Sequence, residues 1–250
     1  MRLYEISGSQ PQLVAKKAYQ ICNTIEKNCQ PFLSSKPRGR FLYRGLGSST
    51  DLKKTFIQAK YPTNRMPKDS HACIHNLIIK AFHDLGFAAN RDNSVFCYSG
   101  SNTLCSSTAI YRYGDALNRY LVFPIGEFSI TYSSLVSDLV EVSEIEQLWM
   151  DEFSNLTGLP VKNVYDTFSE VDLFDTVKNN IYPEVKSIIK SLNYSSDVQG
   201  AMNSTSEIMV TGSEYYMLAL ARFNDEPSWL DNYGTDEPII TVRPQYRNIS

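Results

Sequence analysis

The stretch Ser204 to Met217 restricts the fold more than any other part of the chain. Its apolar core, Ile208-Met209-Val210, is too short for a helix face, and Thr211-Gly212-Ser213 follows it before a second run containing Tyr215 and Tyr216. The pattern predicts two short strands joined by a tight turn. Glu207 stands directly at the mouth of the first strand. A carboxylate in a buried place is costly unless something compensates it. Either Glu207 points into water from a strand edge, or it is held there for a ligand.

The chain in front of Glu207 alternates helical stripes with short strands. Val14, Ala18, Ile21, Cys22, Ile25 and Cys29 recur at three- and four-residue steps behind Ser9 and Pro11, which predicts an amphipathic N-terminal helix ended by Gln30-Pro31. Phe41 to Gly45 reads as a strand with Arg44 at its end, either meeting a ligand or lying on an exposed edge. Residues 45–67 read as a long loop with one helical turn over 51–59. Asp69 or Ser70 then caps a helix with core residues Ile74, Leu77, Ile78, Ala81, Phe82 and Leu85, stopped by Gly86. Asn90 to Asn93 is a turn, and Ser94 to Tyr98 a strand running into Ser99-Gly100-Ser101. A short helix over 107–113 and a turn at Gly114-Asp115 precede the strand Tyr120 to Phe123. Pro124-Ile125-Gly126 is expected to break that strand before another at Phe128 to Tyr132. Residues 135–193 carry three helical stripes, punctuated by Pro160 and Pro183, and read as a helical insertion. A polar loop, 194–206, delivers Glu207, and Ile239 to Val242 forms a last strand.

Composition narrows the class. With 250 residues, 42% hydrophobic and 20% charged, the chain can bury a sizeable core as one domain over 1–250. A net charge of −3 gives no general attraction to nucleic acid. No apolar run of spanning length, secretory leader or lipidation signal is evident, which predicts a soluble chain. Cys22, Cys29, Cys73, Cys97 and Cys105 are odd in number and form no CxxC pair, which favours reduced thiols over a disulfide framework or zinc site. The three histidines, His71, His75 and His83, share one helix. His71 and His75 are four apart, but no interleaved carboxylate completes a metal motif. They are expected on the solvated face, with no metal bound.

Three predicted strand ends carry Arg44, then Ser99, then Glu207. In that order, within Tyr43-Arg44-Gly45, Phe96 to Ser101 and Ser206 to Val210, they resemble the Arg–Ser–Glu signature of the mono-ADP-ribosyltransferases of the arginine-specific-toxin type. The segment Ala109 to Gly114 falls where that family places a helix. The resemblance implies an α+β fold with an ADP-ribosyltransferase-like split β-sheet core, an N-terminal helix and a helical insertion at about 135–193. It also implies NAD as substrate, bound through Arg44, Gly45, Ser99 and Ser101, and a macromolecular acceptor, expected to be a host protein. Cleaving the nicotinamide–ribose bond passes through an oxocarbenium-like sugar, which a carboxylate stabilises; Glu207 takes that role. A bidentate, permanently charged guanidinium suits pyrophosphate, which Arg44 would clamp. Ser99 would bind the nicotinamide-side ribose and support Glu207.

The family usually places Glu or Gln two residues before the catalytic Glu, where it positions the acceptor. Thr205 occupies that place here, so water as acceptor, and hence an NAD glycohydrolase, stays open. A looser similarity links Arg65-x-Pro67-x-Asp69-Ser70, Arg91-x-Asn93-Ser94-Val95-Phe96, Tyr113-Gly114 and Val122-Phe123-Pro124 to bacteriophage proteins. It implies a viral chain acting in the host bacterial cytoplasm or carried in the virion, where a non-catalytic, host-interacting role is the alternative to an enzyme.

Overall fold

A computed structural model describes residues 11–45, 56–65, 72–100, 119–136, 143–161 and 173–219. The fold is α+β. Five strands form one sheet in the order β2-β5-β3-β1-β4: β1 is Phe41–Gly45, β2 Phe56–Lys60, β3 Val95–Gly100, β4 Arg119–Tyr132 and β5 Ile208–Ala219. A further pairing of β5 with β4 closes β1, β3, β5 and β4 into a small barrel-like ring, with β2 added along β5. All described pairings are antiparallel.

Side-chain alternation along β3 and β5 separates two cores. Cys97 lies directly opposite Ile208, and Val95 opposite Val210. These residues join the interior cluster with Leu42, Val122, Phe123 and Ile130, which α1 (Pro11–Asn28) and α2 (Gln30–Ser35) cover with Ile25, Cys29 and Phe32. The residues between them face the other way. Phe96 pairs with Met209 and packs under three helices: α3 (Ala72–Asp84), α4 (Ser143–Thr157) and α5 (Phe174–Ser191). Those helices contribute Leu77, Phe82, Trp149, Phe153, Val177 and Val185. Each large apolar side chain so buried stabilises the fold by about 1.5–3 kcal/mol. Of these, α4 and α5 fall within the stretch expected as a helical insertion, and with α3 they form a layer on the outer face of β3 and β5. Tyr182 of α5 donates a 2.5 Å hydrogen bond to Asp84 of α3, and Lys80 adds an ion pair at 2.8 Å. Together these bonds hold the Asp84 carboxyl down at about 2.

Several expectations are corrected. The loop expected before Pro67 contains β2, whose register runs Phe56 opposite Leu218 to Lys60 opposite Glu214. Pro124-Ile125-Gly126 does not break β4: a bulge between Ile125 and Phe128, with Gly126 at φ 64°, bends it while pairing with β5 continues. Thr211-Gly212-Ser213 is likewise no turn, because β5 runs straight through it. At Gly212 an added Cβ would stand 3.0 Å from the Glu127 carbonyl oxygen, so a side chain there would press on the backbone of the bulge. Pro183 lies inside α5 rather than between helices. Gln30-Pro31 opens α2 instead of merely ending α1. Residues 198–203, expected as loop, form α6 (Val198–Asn203), capped by the Asp197 carboxylate accepting from the Gln199 and Gly200 N–H groups. The cap at Asp69 or Ser70, the helix over 107–113, the turn at Gly114-Asp115, Cys105 and the strand at Ile239 to Val242 lie outside the described residues.

Candidate functional site

β3 lies between β1, which carries Arg44, and β5, which Glu207 precedes by one residue. Leu42 is directly opposite Ser99, so alternation puts Arg44 of β1 and Cys97 of β3 on the face that Ser99 occupies. Cys97 is in turn opposite Ile208, the neighbour of Glu207. Arg44 and Ser99 therefore share one face of adjacent strands, whereas Glu207, one residue ahead of the interior-facing Ile208, takes the alternate position just before β5.

Their electrostatic meeting point is the Cys97 thiol, which is fully buried. Burial pushes its pKa up to about 12, the Arg44 guanidinium opposes that rise, and the Glu207 carboxylate adds to it. A positive side chain on β1 and a negative one just before β5 thus shift the same thiol in opposite directions. Glu207 itself is only 7% exposed, so its position is a buried strand mouth and not an edge facing water. Arg44 is half-buried, and its Nη1 has no hydrogen-bond partner among the described residues.

Ser99 is buried, and its hydroxyl donates a 2.6 Å hydrogen bond to the Met202 carbonyl in α6. Because α6 ends four residues before Glu207, this bond ties the end of β3 to the segment that delivers the acid. Gly45 is buried beside Arg44, Thr205 is exposed, and Ser101 lies outside the described residues.

Two aromatic residues that the sequence did not assign to the site pack nearby against each other. Tyr61, just beyond β2, and Tyr215 of β5 pack ring to ring with centroids 4.7 Å apart. Burial raises both phenol pKa values, and Arg44 works against the rise in each case. Tyr215 was visible as part of an aromatic run. Tyr61 gave no signal, because β2 was read as loop.

The histidines do not share a solvated face. His83 is exposed, but His75 is 3% exposed, with its Nε2 and the Arg65 carbonyl oxygen 3.0 Å apart, and His71 lies outside the described residues. Among the described residues no helix is long and apolar enough to cross a membrane. Comparison with protein-family models, curated proteins and solved structures finds no match to this chain.

Proposed function

We propose that the protein cleaves the nicotinamide–ribose bond of NAD and transfers ADP-ribose to a macromolecular acceptor. The reading is supported by Arg44 and Ser99 sharing one face of neighbouring strands, with Glu207 buried one residue ahead of the next strand. In this assignment Arg44 holds the pyrophosphate. Glu207 orients a ribose hydroxyl and stabilises the positive charge that develops on the sugar as nicotinamide departs. Ser99 fixes the segment leading to Glu207, and its lone pairs stay oriented by the bond it donates to Met202. The split-sheet arrangement of the ADP-ribosyltransferases belongs to the same proposal, as do a host protein as acceptor and a bacteriophage setting.

Hydrolysis is the second reading, favoured by Thr205. It is exposed at the place where an acceptor-positioning carboxylate or amide is expected, and its short hydroxyl reaches less far than either. Incubation with NAD labelled on the adenylate half, with and without bacterial lysate, separates the two. Label on macromolecules supports transfer, free labelled ADP-ribose supports hydrolysis, and unchanged NAD under both conditions overturns both.

A further inference from the structure

We propose that the turn from Lys36 to Arg40, between α2 and β1, is a docking surface for the phosphodiester backbone of a nucleic acid. Lys27, Lys36, Arg38, Arg40 and Arg44 stand between Glu26 and Asp51 with no acid among them, in a chain whose net charge is −3. The fold holds the middle three of these close together. The Arg40 N–H donates to the Pro37 carbonyl oxygen at 3.3 Å, and Gly39, at φ 75°, supplies the positive φ that a turn of this kind requires. Arg38 is exposed at its tip. Lys36 lies behind it with Nζ 3.8 Å from the centre of the Phe41 ring, which fixes a further positive charge at the base of the turn.

Both ends of the turn are anchored, which lowers the entropy lost when a partner binds. On one side Phe32 of α2 is fully buried, edge-on to Phe123 and Phe128 of β4, and the Ser35 carbonyl oxygen accepts from Gln199 of α6. On the other, Phe41 opens β1 opposite Gly100. Asp197, at the start of α6, is turned to its own helix, where its carboxylate accepts from the Gln199 and Gly200 N–H groups. A concentration of acids lies elsewhere: α4 carries Glu144, Glu146, Asp151 and Glu152 with no Lys or Arg. That helix packs on the outer face of β3 and β5, whereas α2 covers the interior cluster. The two signs of charge are thus separated across the sheet, so a polyanion is steered to the turn. A protein partner would call for an apolar anchor at the centre of the patch. Among the described residues the exposed large apolar side chains are Tyr19, Leu135, Leu156 and Leu159, none of them on the turn. A phosphate backbone needs only fixed cations, and Arg38 and Arg40 offer it planar guanidinium forks. The proposed NAD chemistry plays no part in this assignment.

Fluorescence anisotropy of labelled, mixed-sequence duplexes of DNA and of RNA, titrated at low salt with the full chain and its variants, tests the surface. The parent should bind, and log affinity should fall against log salt with a slope of about −2, as expected for about two phosphate contacts. Arg38→Gln should weaken binding about fivefold or more and make the slope shallower by about one. Its thermal midpoint should match that of the parent, because the side chain is exposed. Lys190→Gln makes the same charge change at an exposed position of α5 and should leave affinity and slope as they are in the parent. Failure of the parent to bind either duplex at low salt overturns the proposal. An equal loss in Arg38→Gln and Lys190→Gln also overturns it, since net charge alone would then be read. Poly-glutamate or anionic phospholipid vesicles bound as tightly as the duplexes, with the same dependence on Arg38, overturn the choice of nucleic acid in favour of an acidic protein or a membrane surface. Arg38-dependent duplex binding by a chain that leaves NAD intact supports the surface and sinks the proposed function, and NAD cleavage by a chain that ignores both duplexes does the reverse.

Discussion

The Ser99 hydroxyl donates to the Met202 carbonyl oxygen at 2.6 Å across 103 residues of sequence, joining the end of β3 to the helix that precedes Glu207. Ser99→Ala would leave that carbonyl without its donor in a buried setting. The expected destabilisation is about 1–3 kcal/mol. Urea unfolding measures it, and a midpoint equal to that of the parent would show that the bond contributes nothing.

Glu207→Gln keeps the size and hydrogen-bonding capacity of the side chain but removes its charge. If the carboxylate stabilises an oxocarbenium-like sugar, turnover of NAD should fall about a hundredfold or more, by analogy with losing one preorganised electrostatic group. NAD affinity should change little. Arg44→Ala is expected to weaken NAD binding as well, because the phosphate clamp is gone. Steady-state kinetics with binding measured separately distinguishes the two, and an unimpaired Glu207→Gln protein removes the acid from the mechanism.

His75 introduces a pH dependence. Burial first, and then the charge of Arg91, hold its pKa below the ordinary 6.5, with Arg65 also lowering it, against the opposing pull of the Arg65 carbonyl bond and of Asp92. The unfolded chain therefore binds the proton more readily. Stability is fully present above about 6.5 and is lost as the pH falls from there through the lower folded value. Thermal melts between about pH 5 and 8 should show this slope, and His75→Gln should flatten it. Identical slopes in the two proteins would assign the acid limb to other groups.

Gly126 sits in the β4 bulge at φ 64°, a conformation that costs an L-residue about 1–2 kcal/mol. An added Cβ would meet nothing within 4 Å, so Gly126→Ala isolates the backbone cost from any clash. Chemical denaturation should report a loss of that size. No loss would mean that the bulge relaxes into another shape.

The short strands β1 and β3, the helix α3 and the entry of Glu207 into β5 were legible because their apolar runs are brief, regular and bounded by Gly or polar residues. The misread places share one physical cause, which is that tertiary pairing overrides a local breaker. Pro124 lacks an N–H, yet it pairs with Tyr215 beyond the stretch of β4 that β1 covers, so the missing donor lies where no described strand asks for it. Pro183 and Asn179, the residue whose carbonyl it leaves without an N–H partner, are both on the exposed side of α5, where water can take that carbonyl. β2 escaped notice because Phe56-Ile57-Gln58-Ala59-Lys60 lacks alternation strong enough to read without β5 beside it. His75 looked solvated until the carbonyl of Arg65, ten residues earlier, came within reach of its ring. At the candidate site, Arg44, Ser99 and Glu207 were legible as strand ends, whereas Cys97 as their common neighbour and Tyr61 as an interior phenol needed the register of the sheet.

β5 pairs with β2, β3 and β4, and its residues begin at Ile208, long after the three partner strands have been synthesised. A nascent chain therefore carries β1, β3 and β4 for many residues without the strand that closes them. Ring closure waits on contacts between segments more than a hundred residues apart, such as Phe96 with Met209. Loop-closure entropy makes such non-local pairing slow. During that interval the edges of β3 and β4 that β5 will later occupy have no partner from β5, which makes the nascent chain, more than the finished fold, the stage open to mispairing.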